Sequence, residues 1–433
     1  MKIVGYKEAV EYLESFISPI LFKRIEENPK FDPLERMRVL LKLLGNPEQK
    51  FKSVLVTGTA GKGSTSYLIS HILTISGFKV GFTLSPHLQK VNERLQINGE
   101  QISDEKFIQL TASMIRIIEM MRNMEVGGPS YFEILIAMAF TYFASQKVDI
   151  AVVEVGIEGK YDATNVLNPL IVVLTNIYLD HTQILGNTVE EIAKEASGAI
   201  KKSNTVITGV KQATVIEIVE ERCRQVGAKL FRLGKDFNLS NTKDYELGLI
   251  GDYQRENASL AVEAVLKLKT FGFKVSKNII REALQTAFFP GRFEVVNDKL
   301  VLDGAHNPDK MKAFVSSLEK LYPKEKKVFL IAFKKDKNIK DMLLEILKSA
   351  DSIIVTEFGR ATDVGLHSSA NSSNLKSQIS NLKSGTKVIV EKDLGRALKK
   401  AFDLTVIEQS NNRAIIVVTG SLYLVGEIRS SLK

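Results

Sequence analysis

Short apolar runs alternate with longer amphipathic segments along the first two thirds of the chain. The apolar runs predict strands at residues 53–57, 79–84, 150–155, 170–175 and 205–208, with helices at 64–75, 105–121, 132–144 and 189–200 between them. Runs that are apolar throughout are typical of buried parallel strands, because helices cover both faces of such a sheet. Strands and helices in regular alternation therefore predict an α/β fold with a doubly wound, mostly parallel sheet.

The alternation stops at a Phe-Pro-Gly turn, residues 289–291, and then begins again. Further strands are predicted at 299–303, 328–333, 352–356, 387–390 and 414–419, and the Ser- and Asn-rich stretch 368–384 predicts a loop with a short helix. A Pro-Gly pair is a turn signal and suits a hinge. We therefore predict an N-terminal domain at 1–289, a smaller Rossmann-like α/β domain at 297–433 and a hinge at 290–296.

Composition places the chain among ordinary globular proteins, with 433 residues, 44% hydrophobic and 25% charged. The single cysteine, Cys223, excludes an internal disulfide and a cysteine-based zinc cluster, and five histidines leave little room for a multi-histidine metal centre. No run approaches the roughly 18 apolar residues of a membrane helix. The first residues are charged where a signal peptide would be apolar. We expect a cytoplasmic protein with no membrane partner.

The net charge of +9 is concentrated in the second part of the chain. Residues 1–290 hold 35 Lys and Arg against 33 Asp and Glu, whereas residues 291–433 hold 24 against 17. A run of lysines lies between Lys324 and Lys340. Such a run attracts an anionic ligand or nucleic acid, or it is simply a solvated face, and we favour the second interpretation. No aromatic residues or arginine run accompany it, so we predict no nucleic-acid partner.

A glycine-rich loop, Thr57-Gly-Thr-Ala-Gly-Lys-Gly-Ser-Thr65, joins the first predicted strand to the next helix. Backbone N–H groups of such a loop and the positive end of the helix bind phosphate. The residues expected to bind a nucleotide here are Ala60, Gly61, Lys62, Gly63 and Ser64, with Lys62 between the outer phosphates. The match to the common phosphate-loop pattern is imperfect, since Val56 stands at its first glycine and Gly63 follows the lysine. The loop favours ATP over GTP without deciding between them.

The loop and a series of further segments resemble the Mur ligase superfamily, and the G-K-G-S form resembles its folate branch, the folylpolyglutamate and dihydrofolate synthases. The segments follow the family's order over residues 57–426. They are Ser85-Pro-His-Leu88, Asn92-Glu-Arg94, Glu154-Val-Gly156 with Asp162-Ala-Thr-Asn165, Asn176-Ile177 with Asp180-His181, Gln254 with Asn257, Pro290-Gly-Arg-Phe-Glu294, Asp303-Gly-Ala-His-Asn-Pro308 and Thr419-Gly-Ser-Leu-Tyr-Leu-Val-Gly426. Each segment is weak evidence alone, and together they are specific.

The resemblance implies a Mg²⁺ site held by Ser85, Glu154 and His181. Glu154 lies near the C-terminal end of the predicted strand 150–155, which is the edge where open α/β sheets bind ligands. A hydroxyl, a carboxylate, an imidazole, phosphate oxygens and waters can complete an octahedron, and the imidazole makes Mn²⁺ an alternative ion. The alternatives are a buried salt bridge for Glu154 and a capping or core role for His181.

The resemblance also implies nucleotide contacts outside the loop. Asn257 would hydrogen-bond the adenine, Arg292 would reach the phosphates on domain closure, Asp303 would bind the ribose and His306 would lie against the adenine. The residues that would bind a folate are Pro86, His87, Leu88 and Phe132.

One position departs from the family's pattern. Many members carry a lysine in an I-A-x-E-K-A-G segment, and its carbamylated form helps to organise the metal site. This chain has Ala196 there. Either another group substitutes, or the second-metal arrangement is absent or filled by water. Lys194 lies two residues away and would point to a different face of the helix.

The leading hypothesis is an ATP-dependent ligase that adds L-glutamate to the γ-carboxylate of a tetrahydrofolate through an acyl phosphate. Its catalytic residues would be Lys62, Glu154, His181 and Arg292. The resemblance makes the first domain ATP-binding and the second a glutamate ligase domain, and it predicts a monomer whose partners are ATP, L-glutamate and folates. An alternative is a bifunctional enzyme that also joins glutamate to dihydropteroate. Remote alternatives are a phosphate-loop nucleotide switch or kinase, and a basic nucleic-acid-binding protein with incidental ATPase activity.

Overall fold

A computed structural model describes residues 3–17, 32–157, 159–238, 245–359, 369–382, 385–407 and 413–432. The chain forms two compact units, one of Met1–Gly248 with Gln254–Ala287 and one of Leu249–Tyr253 with Phe288–Lys433. The predicted domains are contiguous segments, whereas the second unit also includes Leu249–Tyr253. The chain therefore passes from the first unit to the second more than once.

The first unit is built on an eight-stranded sheet in the order β4-β3-β2-β5-β1-β6-β7-β8. Its strands are β1 Lys52–Thr57, β2 Val80–Thr83, β3 Gln96–Ile97, β4 Glu100–Gln101, β5 Ile150–Glu154, β6 Ile171–Leu174, β7 Thr205–Thr208 and β8 Lys229–Arg232. The pairs from β2 to β8 are parallel, and β3 and β4 add an antiparallel edge. Strands β1, β2, β5 and β6 are buried along almost their whole length, as expected for a parallel sheet covered on both faces.

Some helices of the first unit start at a residue whose side chain caps them, and others do not. Their bounds are Tyr6–Glu14, Pro33–Leu43, Lys62–Ile75, Asp104–Arg122, Tyr131–Ser145, Thr182–Leu185, Val189–Ser197, Ala213–Val226 and Lys277–Thr286, and the helix Asp252–Leu268 begins in the second unit. Ser130 and Glu133 form a capping box, in which the Glu133 carboxylate accepts from the Ser130 N–H at 2.7 Å. Ser103 and Ser276 accept N–H bonds in the same way at two other helices.

The second unit has its own six-stranded sheet in the order β13-β12-β11-β14-β10-β9. Its strands are β9 Glu294–Asn297, β10 Leu300–Leu302, β11 Lys326–Ile331, β12 Ser352–Val355, β13 Lys387–Val390 and β14 Ala414–Thr419. Only the β9–β10 pair is antiparallel. Its helices are Pro308–Leu321, Ile339–Ile346, Ser372–Asn381, Leu394–Ile407 and Leu422–Ser431. The predicted mostly parallel α/β sheets are thus confirmed in both units.

Several small elements were not predicted, because their sequences are short or only partly buried. The edge strands β3 and β4 have two residues each, and β8 has no fully buried residue. The predicted short helix in 368–384 lies at Ser372–Asn381, and residues 368, 383 and 384 fall outside the described residues. No helix in the described ranges is long and apolar enough to cross a membrane.

The lysine run 324–340 does not form one patch. Lys324, Lys326 and Lys327 lie at the start of β11, and the other lysines of the run follow the end of this strand. A strand of six residues is about 20 Å long at roughly 3.3 Å per residue, so the two groups of lysines are separated by that distance. Lys327 is buried and pairs with Glu319 at 3.1 Å. The lysines of this run are therefore divided between the two ends of β11.

Candidate functional site

The strand order of the first sheet gathers the predicted site residues at one edge. Strands β2, β5, β1 and β6 are neighbours in that order and run parallel. Their carboxyl ends lead respectively into Ser85, Glu154, the glycine-rich loop and the segment that contains His181. This is the edge at which open α/β sheets bind ligands.

The glycine-rich loop needs its first glycine for steric reasons. Gly58 has a φ of 119°, and a Cβ there would lie 2.3 Å from Thr175 Oγ1 and 2.8 Å from the Asn176 carbonyl oxygen. Gly61 has a φ of 87° and is the N-cap of the helix Lys62–Ile75, without a side-chain cap. The N–H groups at the start of a helix are donors of the kind that bind phosphate.

The segment after β6 supports the loop from its side. Asn176 accepts from two loop amides, from Thr59 N at its carbonyl oxygen (2.8 Å) and from Ala60 N at Oδ1 (2.9 Å). Thr175 Oγ1 donates to the Ala60 carbonyl at 2.7 Å. The sequence placed Asn176 in a motif but gave no sign of this supporting role, which depends on β1 and β6 being neighbours.

The side chain of Lys62 folds back onto the glycine-rich loop. Its ammonium Nζ donates to the Gly58 carbonyl oxygen at 2.5 Å. Gly63, Ser64 and Thr65 are buried at the start of the helix, and no described residue hydrogen-bonds the Thr65 hydroxyl. The loop thus combines backbone donors with a cation, as a phosphate site requires.

The predicted metal ligands belong to the ends of β2, β5 and β6, of which β2 and β5 are neighbours, whereas β1 lies between β5 and β6. The Ser85 N–H donates to Glu154 Oε2 at 3.2 Å, so the structure brings these two residues into contact. His181 has a φ of 48°, its backbone N–H donates to Asp180 Oδ1 at 3.0 Å, and its side chain is 30% exposed. No cluster of three or more His, Cys, Asp or Glu occurs in the part of the chain that the structure describes. The hydroxyl, carboxylate and imidazole fit a magnesium ion that takes its remaining oxygens from phosphate and water.

The residues predicted to bind a folate are tied to neighbouring motifs. Arg94 is buried and its Nε donates to His87 Nδ1 at 2.9 Å, so this ring nitrogen carries no proton. The Leu88 N–H donates to Glu93 Oε2 at 2.6 Å. These contacts join Ser85-Pro-His-Leu88, which begins with a cis peptide bond before Pro86, to the Asn92-Glu-Arg94 segment.

Phe132 reaches the same sheet edge from the helix Tyr131–Ser145. A Cβ atom on Gly156 would lie 2.4 Å from the Phe132 ring. The absence of a side chain at this glycine, which follows β5, therefore leaves space for the ring. The adjacent Tyr131 ring lies under the Arg94 guanidinium, 5.7 Å from its centroid. Phe132 and the His87 segment are therefore linked through Tyr131 and Arg94.

Asp162 organises the loop that follows Gly156. Its Oδ2 accepts from the Gly156 and Ile157 N–H groups at 3.1 and 3.0 Å, and its Oδ1 accepts from the N–H and hydroxyl of Thr164. It also caps the short helix Ala163–Val166. Burial raises the pKa of Asp162 from 3.8 to about 6, although all these hydrogen bonds act in the opposite direction.

The raised pKa of Asp162 predicts a particular pH dependence. Between about pH 4 and 6 the folded protein holds a proton that the unfolded chain has lost, so this group's stabilising contribution falls as pH rises through 6. We expect the free energy of unfolding, relative to an Asp162→Asn variant, to decrease by about 2.5 kcal/mol from pH 4 to pH 7. Urea unfolding of the unaltered protein and of the variant across this pH range measures the change. If the free energy of unfolding, relative to the variant, increased with pH, the raised pKa of Asp162 would be contradicted.

Ala196, at the position of the family's lysine, is fully buried in the hydrophobic core of the first unit. Lys194 is exposed on the same helix, Val189–Ser197, so the two positions do face differently.

Asn257 lies beside the glycine-rich loop. A Cβ on Gly61 would be 2.3 Å from Asn257 Oδ1, which shows how closely the two residues approach. The Asn257 Nδ2 donates to Gln254 Oε1 at 2.8 Å, and both residues are buried on the helix Asp252–Leu268. The structure thus places this predicted adenine ligand next to the predicted phosphate loop.

Asp303 is the centre of a buried polar group in the second unit. Its oxygens accept from the Phe293 and Ala305 N–H groups, both at 2.8 Å, and from the Tyr253 hydroxyl at 3.4 Å. Burial raises the pKa of Asp303 and of Tyr253, and the nearby Arg292 guanidinium opposes both shifts. Sequence reasoning missed Tyr253, because it lies outside the motif that contains Asp303.

His306 follows Asp303 at the carboxyl edge of the second sheet. Its Nδ1 donates to the Gly304 carbonyl at 2.7 Å, and Lys310 Nζ lies 3.0 Å from Nε2. Because an ammonium can only donate, Nε2 is the acceptor and the imidazole is neutral. The Arg292 guanidinium lies 5.3 Å from the centre of the Phe289 ring.

Comparison with known proteins gives matches over most of the chain. Residues 56–265 match the family described as Mur ligase middle domain, and residues 293–432 match dihydrofolate synthetase, C-terminal domain. The chain is 33% identical to the dihydrofolate synthase/folylpolyglutamate synthase of Bacillus subtilis (92% of this chain, 95% of the relative) and 30% identical to the folylpolyglutamate synthase of Lacticaseibacillus casei (99% of each). The solved Mycobacterium tuberculosis folylpolyglutamate synthase complexed with ADP superposes with a TM-score of 0.89 at 26% identity, covering 98% of each chain.

Proposed function

The chain belongs to the family of folylpolyglutamate and dihydrofolate synthases, and from this we propose that it is an ATP-dependent ligase that adds L-glutamate to the γ-carboxylate of a tetrahydrofolate. The observation that carries the proposal is the arrangement at one sheet edge, where the glycine-rich loop lies between Glu154 and the His181 segment. That arrangement suits a phosphoryl transfer from ATP to a carboxylate.

The proposed reaction has two steps. A carboxylate oxygen of the folate attacks the γ-phosphorus of ATP, the bond to the bridging oxygen breaks, and ADP leaves. The glutamate nitrogen then attacks the carbonyl carbon of the acyl phosphate, phosphate leaves with the electrons of the C–O bond, and the nitrogen loses a proton. Exclusion of water protects the acyl phosphate from hydrolysis.

Lys62 and Arg292 supply the positive charge that we propose for the first step. The Lys62 ammonium lies within the loop whose amides face the phosphates, and it stabilises charge that develops on the γ-phosphoryl oxygens. Ser85, Glu154 and His181 would hold Mg²⁺, or Mn²⁺ in its place, which when bound neutralises phosphate charge. Glu154 and His181 are counted as catalytic residues because they would hold the metal ion beside the phosphate group that is transferred.

The nucleotide contacts are proposed from residues of each unit. In the first unit, the loop residues Ala60, Gly61, Gly63 and Ser64 bind phosphate and Asn257 contacts adenine. In the second unit, Asp303 and His306 contribute to the ribose and the base. We propose that Pro86, His87, Leu88 and Phe132 bind the pterin part of the folate, which is consistent with the contacts that join their segments.

A second acceptor, dihydropteroate, is proposed as the alternative substrate. It has a carboxylate that the same two steps convert to an amide. The Bacillus subtilis relative carries both synthase names, which favours this activity over a nucleotide switch or kinase. The domain bounds 1–289 and 297–433, the cytoplasmic location, the monomeric state and the lack of nucleic-acid or membrane partners remain predictions.

Product analysis tests the proposed function. The purified chain is given Mg-ATP with L-glutamate and either tetrahydrofolate or dihydropteroate, and ADP and the amide product are measured by chromatography and mass spectrometry. We expect ADP and amide in equal amounts, only when glutamate and an acceptor are both present. Omission of glutamate is the control. ADP release without any amide product would contradict the ligase and favour a nucleotide switch or kinase.

A further inference from the structure

The turn Gly291–Glu294, which carries Arg292, has two residues in the left-handed region of backbone conformation. Gly291 has a φ of 71°, and Phe293, whose side chain is buried, has a φ of 46°. For a bulky residue this conformation costs free energy, and it persists only where the surrounding structure imposes it. The contacts that hold the turn therefore fix the backbone from which the Arg292 side chain extends.

Asp303 and the core of the second unit hold one side of this turn. The Phe293 N–H donates to Asp303 Oδ2 at 2.8 Å, and the Gly304 N–H donates to the Gly291 carbonyl oxygen at 3.0 Å. The Phe293 ring packs edge-on against Phe314 in the hydrophobic core, with the ring centres 5.2 Å apart. This side of the turn is thus attached to the segment that follows β10.

A carboxylate and a distant arginine hold the other side of the turn. Glu294 Oε2 accepts from the Gly291 N–H at 2.8 Å, so this side chain closes the turn on itself. Arg429, on the helix Leu422–Ser431, donates from Nε to both oxygens of the same carboxylate, at 3.0 and 3.1 Å. The Glu294 side chain is only 6% exposed. Burying a carboxylate is costly unless an opposite charge and hydrogen-bond donors compensate it, and Arg429 provides the charge.

The Arg292 side chain extends from this turn toward the segment that follows β10. A Cβ atom on Gly304 would lie 3.0 Å from Arg292 Nη1, so the guanidinium is close to this glycine. Arg292 Nη1 also donates to the Gly291 carbonyl oxygen at 3.3 Å. The guanidinium therefore lies at the carboxyl edge of the second sheet, and a change in the turn would move it.

We propose that Arg429 is a positioning residue for the phosphoryl transfer, and that it acts on Arg292 through Glu294 and the turn. The proposal rests on the proposed function, in which Arg292 supplies positive charge to the transferred group. A guanidinium stabilises developing charge only at hydrogen-bond distance from it, so a small displacement removes much of the effect. Arg429 lies beyond the sequence motifs, the last of which ends at Gly426. All the contacts that connect it to Arg292 lie within the second unit.

Kinetic measurements on single and double variants test the proposal. The turnover number and the KM for each substrate are measured for Arg292→Met, Arg429→Met and the double variant. We expect Arg429→Met to lower the turnover number about tenfold and to leave the KM for acceptor and for glutamate unchanged. When Arg292 is already methionine, adding Arg429→Met should change the turnover number by less than about twofold, because the residue through which Arg429 acts is gone.

A conservative variant and a matched control accompany this comparison. Arg429→Lys keeps a positive charge beside Glu294 and should recover part of the turnover that Arg429→Met loses. Arg396→Met, at an exposed position on the helix Leu394–Ile407 of the same unit, should leave the turnover number unchanged. Circular dichroism establishes that the variants are folded. If Arg429→Met is unfolded, Glu294→Gln takes its place, because it breaks the same ion pair and keeps the size of the side chain.

The double variant separates a positioning role from a structural one. If Arg429→Met lowers the turnover number by the same factor with and without Arg292, the two residues act independently and the proposal is wrong. A wild-type turnover number in Arg429→Met would also overturn it. ADP release without an amide product would contradict the proposed function instead, and the same comparison would then be made on the rate of ADP release. A chain that releases no ADP with either acceptor would overturn both.

Discussion

Replacing Lys62 with methionine should lower the turnover number for amide formation about a thousandfold, while the chain stays folded. The Lys62 ammonium lies within the glycine-rich loop, 2.5 Å from the Gly58 carbonyl oxygen, where it can stabilise charge on a transferring phosphoryl group. Methionine keeps much of the length and apolar character of the side chain and removes the charge. Because this charge matters most in the transition state, the turnover number should fall more than the affinity for ATP.

Initial rates of ADP release and of amide formation, at several ATP concentrations, measure the effect of Lys62→Met. Lys106→Met is the control, because Lys106 is an exposed lysine of the same unit, on the helix Asp104–Arg122. Circular dichroism and thermal melting establish that both variants are folded. A turnover number within about tenfold of the wild type would contradict the role proposed for Lys62.

Replacing Arg36 with methionine should destabilise the protein by about 3–5 kcal/mol. Arg36 Nε lies 3.0 Å from each carboxylate oxygen of Glu133, a second guanidinium nitrogen lies 2.8 Å from Oε2, and the two side chains are only 3% and 4% exposed. Glu133 also accepts the Ser130 N–H. Removing the arginine leaves a carboxylate that is buried without its counter-charge, which accounts for the size of the expected effect.

Urea unfolding at neutral pH measures this change through the midpoint and the slope. Arg224→Met is the matched control, because Arg224 and Glu221 form an ion pair at 2.7 Å with side chains 67% and 53% exposed, and solvent screening should make the effect there much smaller. The double variant Arg36→Met with Glu133→Leu should recover much of the lost stability, because it removes the buried charge. Equal effects of the two arginine substitutions would contradict the interpretation.

Local signals in the sequence were sufficient for the main elements of both units. The apolar runs at 205–208 and 414–419 coincide with β7 and β14, because buried parallel strands carry a continuous apolar pattern. The helix after β1 begins within the glycine-rich loop, at Lys62, two residues before its predicted start. Turn and glycine signals act over a few residues, and so they can be read without knowledge of the rest of the chain.

The motifs identified candidate site residues but not their geometry. Ser85 and Glu154 are far apart in sequence, and their contact depends on β2 and β5 being neighbours in the sheet. The support of Ala60 by Asn176 likewise depends on the pairing of β1 with β6. A motif gives the residue types and their order, whereas strand order decides which strand ends meet.

The sequence by itself determined the α/β class, the phosphate loop and the series of motifs that indicates a ligase, because these depend on short-range patterns of residues. Only the tertiary structure decided that Leu249–Tyr253 joins the second unit, that Arg36 pairs with Glu133, and that the nitrogen of Gln254 has no hydrogen-bond partner among the described residues. These features depend on contacts between distant segments. Their energetic consequences depend on which charged and polar groups are buried and on how these groups are paired, which is a property of the packed fold and not of any local stretch of the chain.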